Sequence, residues 1–221
     1  MSERGHAIMR WVDDHFNQQV AFLQELVRIP TDTPPGNNAP HAQAVAGFLE
    51  ALGWEVERHP VPHAQVRDAG LESITNLIVR RRYGKQGPVV ALNAHGDVVP
   101  PGEGWMHPPY GAVVENGRLY GRAAAVSKSD FATYVYAVRA LEACVAGLNG
   151  AVELHFTYDE EVGGLLGPGW LLEQGFTAPD LAICAGFSYN VVTAHNGCLQ
   201  LAVTVHGKAA HGSMPDTGHD A

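Results

Sequence analysis

The sequence predicts an α/β fold with a mixed, mostly parallel sheet flanked by helices. Three observations lead there. Segments with apolar residues at three- and four-residue steps alternate with short apolar or strictly alternating runs, the order of a sheet with helices on its faces. Val89, Val90, Ala91, Leu92 and Ala94 form a small-to-branched run interrupted only by Asn93, which suits a strand buried on both faces of a parallel sheet. The chain has 221 residues, 46% hydrophobic and 17% charged. That is an ordinary globular balance, long enough at about 150 residues per domain for one domain and a piece of another.

Taken in order, Ile8, Val12, Phe16, Val20, Leu23 and Val27 share one helical face, and Pro30 stops that helix. The stretch from Thr31 to Asn37 is rich in turn formers. A second helix carries Val45, Phe48, Leu49 and Leu52 on one side and ends at Gly53. Residues 54–61 and 75–81 read as strands, followed by the buried strand 89–94. Phe131, Tyr134, Val135, Val138, Leu141 and Val145 define a helix over 130–145. Val152, Leu154, Phe156 and Tyr158 alternate with Glu153, His155 and Thr157 as a strand, and 181–185 reads as another short, buried strand. Near Thr193 the character changes. Leu199, Leu201, Val203 and Val205 alternate with Gln200, Ala202 and Thr204, which predicts a half-exposed strand opening a second domain. The expected organisation is therefore a partial catalytic domain over 1–192 and the beginning of a second, incomplete domain over 193–221, as in a fragment or truncated product.

Composition narrows the function. Fourteen Lys and Arg against 23 Asp and Glu give a formal charge of −9, the wrong sign for a nucleic-acid or polybasic membrane binder. No apolar run approaches the roughly 18 residues of a membrane span, and the opening Met-Ser-Glu-Arg-Gly-His does not read as a signal peptide. Cys144, Cys184 and Cys198 are too scattered for a disulfide framework. The expectation is a cytoplasmic protein. There is no nucleophile-elbow serine and no glycine-rich phosphate loop.

In open α/β sheets, ligands gather at the carboxyl ends of the strands, and the unusual polar residues fall there. His95-Gly96-Asp97 follows the buried run. In extended chain, residues two apart face the same way, so Asp97 can hold the second nitrogen of a metal-bound His95; alone, the triplet also reads as a turn. Asp159-Glu160-Glu161 ends the strand from Val152. Three adjacent acids repel one another unless a cation or proton offsets them. Because neighbouring side chains diverge, one can bind metal while the other takes a proton from water; a solvated acidic loop is the plain alternative. His195 and Cys198 are close in sequence, but a turn leading into a strand accounts for them.

Together and in order, these segments resemble the M20 family of metallopeptidases and amidohydrolases, which includes aminoacylases, glutamate-releasing carboxypeptidases, acetylornithine deacetylases and succinyl-diaminopimelate desuccinylases. The resemblance runs from Leu26-Val27-Arg28-Ile29-Pro30 and Pro34-Pro35-Gly36-Asn37 through His95-Gly96-Asp97-Val98-Val99-Pro100 and Gly104-Trp105. It continues with Asn116-Gly117-Arg118-Leu119-Tyr120-Gly121-Arg122 and Asp159-Glu160-Glu161-Val162-Gly163-Gly164, and ends with Gly207-Lys208-Ala209-Ala210-His211-Gly212-Ser213. It implies a zinc-aminopeptidase-like catalytic domain with an inserted α+β lid domain that often dimerises. His95 and Glu161 would be zinc (or cobalt) ligands, Asp97 the carboxylate behind His95, and Glu160 the general base. His211 would be a lid histidine that polarises the scissile carbonyl. The implied substrate is a small N-acyl amino acid or peptide, cleaved at an amide bond next to a carboxylate, with a homodimer through the lid in a full-length form.

Two positions depart from the pattern. Val126 stands where the resemblance implies an aspartate bridging two zincs, and Gly186 where it implies a further acid. The last ligand, a histidine near the carboxyl end of the family's chains, has no counterpart in this sequence. Only His95 and Glu161 keep a donor, and a catalytic zinc normally takes about three protein ligands plus water. A bound pair of zincs is therefore not expected. Asp130, one helical turn beyond Val126, is a candidate replacement, as are His107 and His155. The alternative is a catalytically inactive relative acting as a binding module, its remaining carboxylates protonated or paired with Lys128.

Overall fold

The computed structural model describes residues 2–186, 190–194, 197, 199 and 201–220. It divides into two compact units, Met1–Phe187 and Ser188–Ala221.

In the first unit, helix α1 (Glu3–Val27) starts at Ser2, whose hydroxyl accepts the Gly5 N–H at 3.2 Å, a side-chain cap for an otherwise unpaired amide. Helix α2 (Ala39–Ala51) ends before Gly53, which takes φ +80° and donates its N–H to the Glu50 carbonyl. There follow strand β1 (Glu57–Pro60), a short helix α3 (His63–Asp68), strand β2 (Thr75–Arg82) and strand β3 (Val89–His95). A hairpin of β4 (Val113–Glu115) and β5 (Arg118–Tyr120) comes next, then helix α4 (Lys128–Cys144), strand β6 (Ala151–Thr157), helix α5 (Pro168–Glu173) and strand β7 (Leu181–Cys184).

The main sheet has the order β1-β2-β6-β3-β7. It is mixed: β1 with β2 and β2 with β6 are antiparallel, whereas β6 with β3 and β3 with β7 are parallel. Leu77, Ile78, Leu154 and Phe156 from the sheet are fully buried with Phe131 and Val135 of α4 and Leu49 of α2. Removing each such side chain from water contributes about 1.5–3 kcal/mol, so burial on both faces of the sheet locks the register of β2 and β6. The pairing that matters for chemistry is β3 with β6. They run parallel with His95 opposite Thr157, so their carboxyl ends emerge side by side.

The described residues of the second unit hold an antiparallel bridge between Lys208 and His219 and a 3₁₀ turn, Pro215–Thr217. The half-exposed strand expected over 199–205 is not formed by the described residues of that stretch. Alternation produces a strand only where a neighbour accepts its hydrogen bonds. His195 and Cys198 lie outside the described residues. No helix among the described residues is long and apolar enough to cross a membrane.

Candidate metal centre

His95 is the last residue of β3, and Glu160 and Glu161 open a 3₁₀ turn (Glu160–Val162) three residues beyond the end of β6. The Gly96 N–H donates to the Thr157 carbonyl at 2.8 Å, extending the parallel pairing by one step before the strands part. One donor atom from each of His95, Glu160 and Glu161 lies within 4.8 Å of the others, the single cluster of three or more such residues among the described ones.

A buried carboxylate organises this cluster. Asp97 has no solvent exposure. Its Oδ1 accepts the Glu160 N–H at 3.3 Å and its Oδ2 the Glu161 N–H at 3.1 Å. The Nδ1 of His95 lies 3.0 Å from the Asp97 main-chain oxygen and 3.4 Å from Oδ1. With Nδ1 as the donor, Nε2 is left as the lone pair facing the glutamates. Asp97 therefore stands behind His95, as sequence spacing predicts, with its main-chain oxygen as the nearer acceptor. Its contact with both glutamate amides is a feature the sequence did not disclose. Nε2 of His95 is 3.8 Å from Glu160 Oε2.

The charges bear on one another. Burial opposes protonation of His95, but Asp97 and then Glu160 outweigh it and raise the imidazole pKa. Burial, reinforced by the Glu160 charge, raises that of Glu161. Both groups thus feel burial and their charged neighbours at the two strand tips.

The cluster opens on a cleft of about 620 Å³, and Val126, Gly186, Arg122 and Cys184 also line it. Val126 brings only methyl groups to this wall. A Cβ at Gly186 would meet nothing within 4 Å among the described residues, and no carboxylate stands at that position. A metal pair bridged by a carboxylate does not fit this donor set; one cation does.

The candidate replacements lie elsewhere. Asp130, in the first turn of α4, accepts the Ser127 hydroxyl at 3.0 Å and lies near enough to His95 to feel its charge, but it is not part of the cluster. His107 pairs with Glu115 at 3.4 Å, and His155 pairs with Glu153 at 2.9 Å. Lys128 donates to the Ile29 carbonyl at 2.7 Å rather than to the glutamates. His211, in the second unit, has Nδ1 accepting the Ser213 N–H at 3.3 Å, with the Ser213 hydroxyl at 2.8 Å. Arg122 and Cys184 were not singled out by sequence reasoning. The strand-tip rule that selected His95 applies equally to Cys184, the last residue of β7.

A mixed sheet with a His/Glu/Glu cluster at its parallel strand tips defines an α/β fold with a metal-type centre. Residues 91–205 match the model of Peptidase family M20/M25/M40, and the chain belongs to that family. It is 35% identical over 207 residues to a succinyl-diaminopimelate desuccinylase of Gluconobacter oxydans, covering 89% of this chain and 51% of that relative. A succinyl-diaminopimelate desuccinylase of Acidiphilium cryptum is 31% identical over 205 residues, with 89% of this chain and 51% of the relative covered. The chain spans about half the length of these curated relatives. In fold it is similar to human carnosine dipeptidase 1, with a TM-score of 0.66 at 22% identity over 81% of this chain and 40% of that one. It is also similar to the dipeptidase Dug1p of Saccharomyces cerevisiae, with a TM-score of 0.68 at 16% identity over the same shares.

Proposed function

We propose that this chain belongs to a metal-dependent amidohydrolase acting on small N-acyl amino acids or peptides. The observation that carries this reading is the convergence of His95, Glu160 and Glu161 behind one buried carboxylate, at the mouth of a cleft of about 620 Å³. His95 and Glu161 would hold zinc or cobalt, which when bound supplies Lewis-acid polarisation of a carbonyl and of water. Asp97 fixes the imidazole tautomer and aims both glutamates. Glu160, with its side chain 61% exposed, takes the proton from the attacking water and returns it to the departing amine. His211 is assigned to carbonyl polarisation on the strength of family resemblance alone, and residues 193–221 to the beginning of a lid through which a longer form would dimerise. Desuccinylases among its relatives support an acyl amino acid substrate and fit a cytoplasmic site of action.

The presence of Val126 and Gly186 in the cleft wall favours a second reading, an inactive relative that binds such a ligand without cleaving it. Hydrolysis separates the two. N-succinyl and N-acetyl amino acids and dipeptides are incubated with purified protein at saturating zinc or cobalt. The hydrolase reading expects turnover that Glu160→Ala reduces by about 10²–10⁴-fold, the usual contribution of a general base. No turnover above that of the variant would leave the binding module.

A further inference from the structure

We propose that Arg122 is the carboxylate receptor of the cleft, so that its ligand is an anionic acyl amino acid or peptide, held by a carboxylate while its amide faces the strand tips. The inference rests on the reading of the cleft as an amide-binding site and adds the group that selects the substrate. Arg122 is the single lysine or arginine among the described residues lining the cleft. Its main-chain N–H donates to the Pro109 carbonyl at 2.7 Å, and its Nε donates to the Val99 main-chain oxygen at 2.8 Å. Both ends of the residue are thus pinned, and Val99 belongs to the segment that carries His95 and Asp97. Four residues of chain reach at most about 14 Å. The anchor of the guanidinium is therefore no further from His95 than a ligand of four peptide units can span.

The other half-buried arginines show what Arg122 lacks. Arg58 pairs with Glu50, Arg81 pairs with Glu142, and Arg139 lies over the Trp11 and Tyr136 rings. Arg122 is also half-buried, yet among the described residues its side chain has one hydrogen-bond partner, the neutral Val99 carbonyl, and no ion pair. Tyr110 lies near enough to feel its charge, but the Tyr110 hydroxyl is committed to Asp32. Glu160 and Glu161 line the same cleft without pairing with it. Four of the five guanidinium N–H groups are therefore unused, and they sit on the two Nη atoms in the fork that matches a carboxylate. A partly desolvated cation with such a fork gains most from a bidentate anion. The two glutamates repel that anion, which fixes its direction: the carboxylate goes to Arg122 and the neutral amide to the strand tips.

The test measures binding rather than turnover. N-succinyl-alanine, N-succinyl-alaninamide, N-acetyl-alanine and the neutral N-acetyl-alaninamide are titrated by calorimetry into the full chain, Arg122→Lys and Arg122→Gln. Each titration is run with saturating zinc and again with a chelator. Glu160 and Glu161 act alike on parent and variant, so the ratio of affinities reports Arg122 in both conditions. Arg122→Gln should weaken binding of the carboxylates by about ten- to a hundredfold, the worth of a hydrogen bond to a charged group, and leave the neutral amide unchanged. Arg122→Lys keeps the charge without the fork and should recover part of the loss. Should Arg122→Gln not fold, as judged by circular dichroism, the same comparison is read from Arg122→Lys. Loss confined to the N-succinyl ligands places the acyl carboxylate on Arg122, and loss confined to the ligands with a free α-carboxylate places that group there; either upholds the proposal. Equal weakening of all four ligands in a folded variant, or unchanged carboxylate affinity, would overturn it. So would a parent chain that binds the acids no more tightly than the neutral amide. Carboxylate binding that needs Arg122, in a chain that hydrolyses none of the four, upholds it while the hydrolase reading fails. Hydrolysis with binding indifferent to Arg122 does the reverse.

Discussion

The ammonium of Lys128 is wholly buried at the start of α4, and its hydrogen-bond partner is the Ile29 carbonyl at 2.7 Å, a neutral group. Asp32 and Asp97 face it at longer range, the Tyr110 ring lies 6.0 Å away, and buried His41 is close enough to feel its charge. Burial outweighs the two carboxylates and lowers the Lys128 pKa from 10.5 to about 7. Between those values the unfolded chain holds more protons than the folded one. Stability contributed by this residue therefore rises with pH from about 7 to 10.5 and is lost as pH falls through 7. The limiting slope for one such group is about 1.4 kcal/mol per pH unit. Lys128→Met should flatten the pH dependence across that window, measured as urea unfolding at several alkaline pH values for both proteins. Parallel curves would mean that the ammonium stays charged in the fold. His41 acts in a separate window. Burial first, and then the Lys128 charge, hold its pKa well below 6.5, so its contribution is lost as pH falls below that value.

At the level of elements, the link from β3 to the Asp97 end of the candidate metal centre is a single glycine. A Cβ on Gly96 would lie 2.5 Å from Tyr158 Cε1 and 3.1 Å from Phe131 Cζ. Both rings are fully buried, and the Tyr158 hydroxyl is tied to His41 Nδ1 at 2.8 Å, so neither can swing away. Gly96→Ala is expected to cost about 1–3 kcal/mol, the range for overpacking a filled core. It should also weaken zinc binding, because the strain falls between His95 and Asp97. Urea unfolding and zinc titration check both halves, and an unchanged midpoint would show that the aromatic pair can yield. The same segment shows what sequence could reveal. The buried run gave β3, the alternation gave β6, and three- and four-residue spacing gave α1 and α4, because each pattern is local. The β4–β5 hairpin went unread although Asn116-Gly117, at φ +51° and +73°, is a strong hairpin turn signal. The placement of β6 between β2 and β3 has no local signature. His95 and Glu161 were therefore legible as polar residues at separate strand tips, while their meeting through Asp97 depends on a pairing between residues more than sixty positions apart.

For the molecule as a whole, the sheet is finished differently at its two sides. Both edge strands have four residues, but the β1 edge is charged, with Glu57 and Arg58 on the strand, Pro60 at its end and Arg80 of β2 bonded to Glu57. Those features discourage pairing with another chain. At the other side β7 has one strand partner among the described residues, β3. The buried strand expected over 181–185 is instead exposed at all four residues of β7, with Leu181 at 60% and Ile183 at 56%, since an apolar run is buried only where a neighbouring element covers it. An edge of unpaired amides carrying exposed apolar side chains, with no lysine, proline or bulge to blunt it, is a template for a further strand. The 221-residue chain is therefore expected to self-associate through β7. The doubly substituted Leu181→Lys, Ile183→Lys protein should be shifted toward monomer, since a charged edge disfavours strand addition. Light scattering coupled to size exclusion measures the shift, with circular dichroism confirming that both proteins are folded. The association has a consequence for the cleft, because Cys184, Ala185 and Gly186, the three residues after Ile183, form part of its wall. A strand added at β7 lies next to that wall, so zinc affinity measured across the monomer–oligomer transition should change with protein concentration in the parent chain and not in the lysine variant. A parent chain that stays monomeric over the concentrations used for zinc titration would defeat the edge argument.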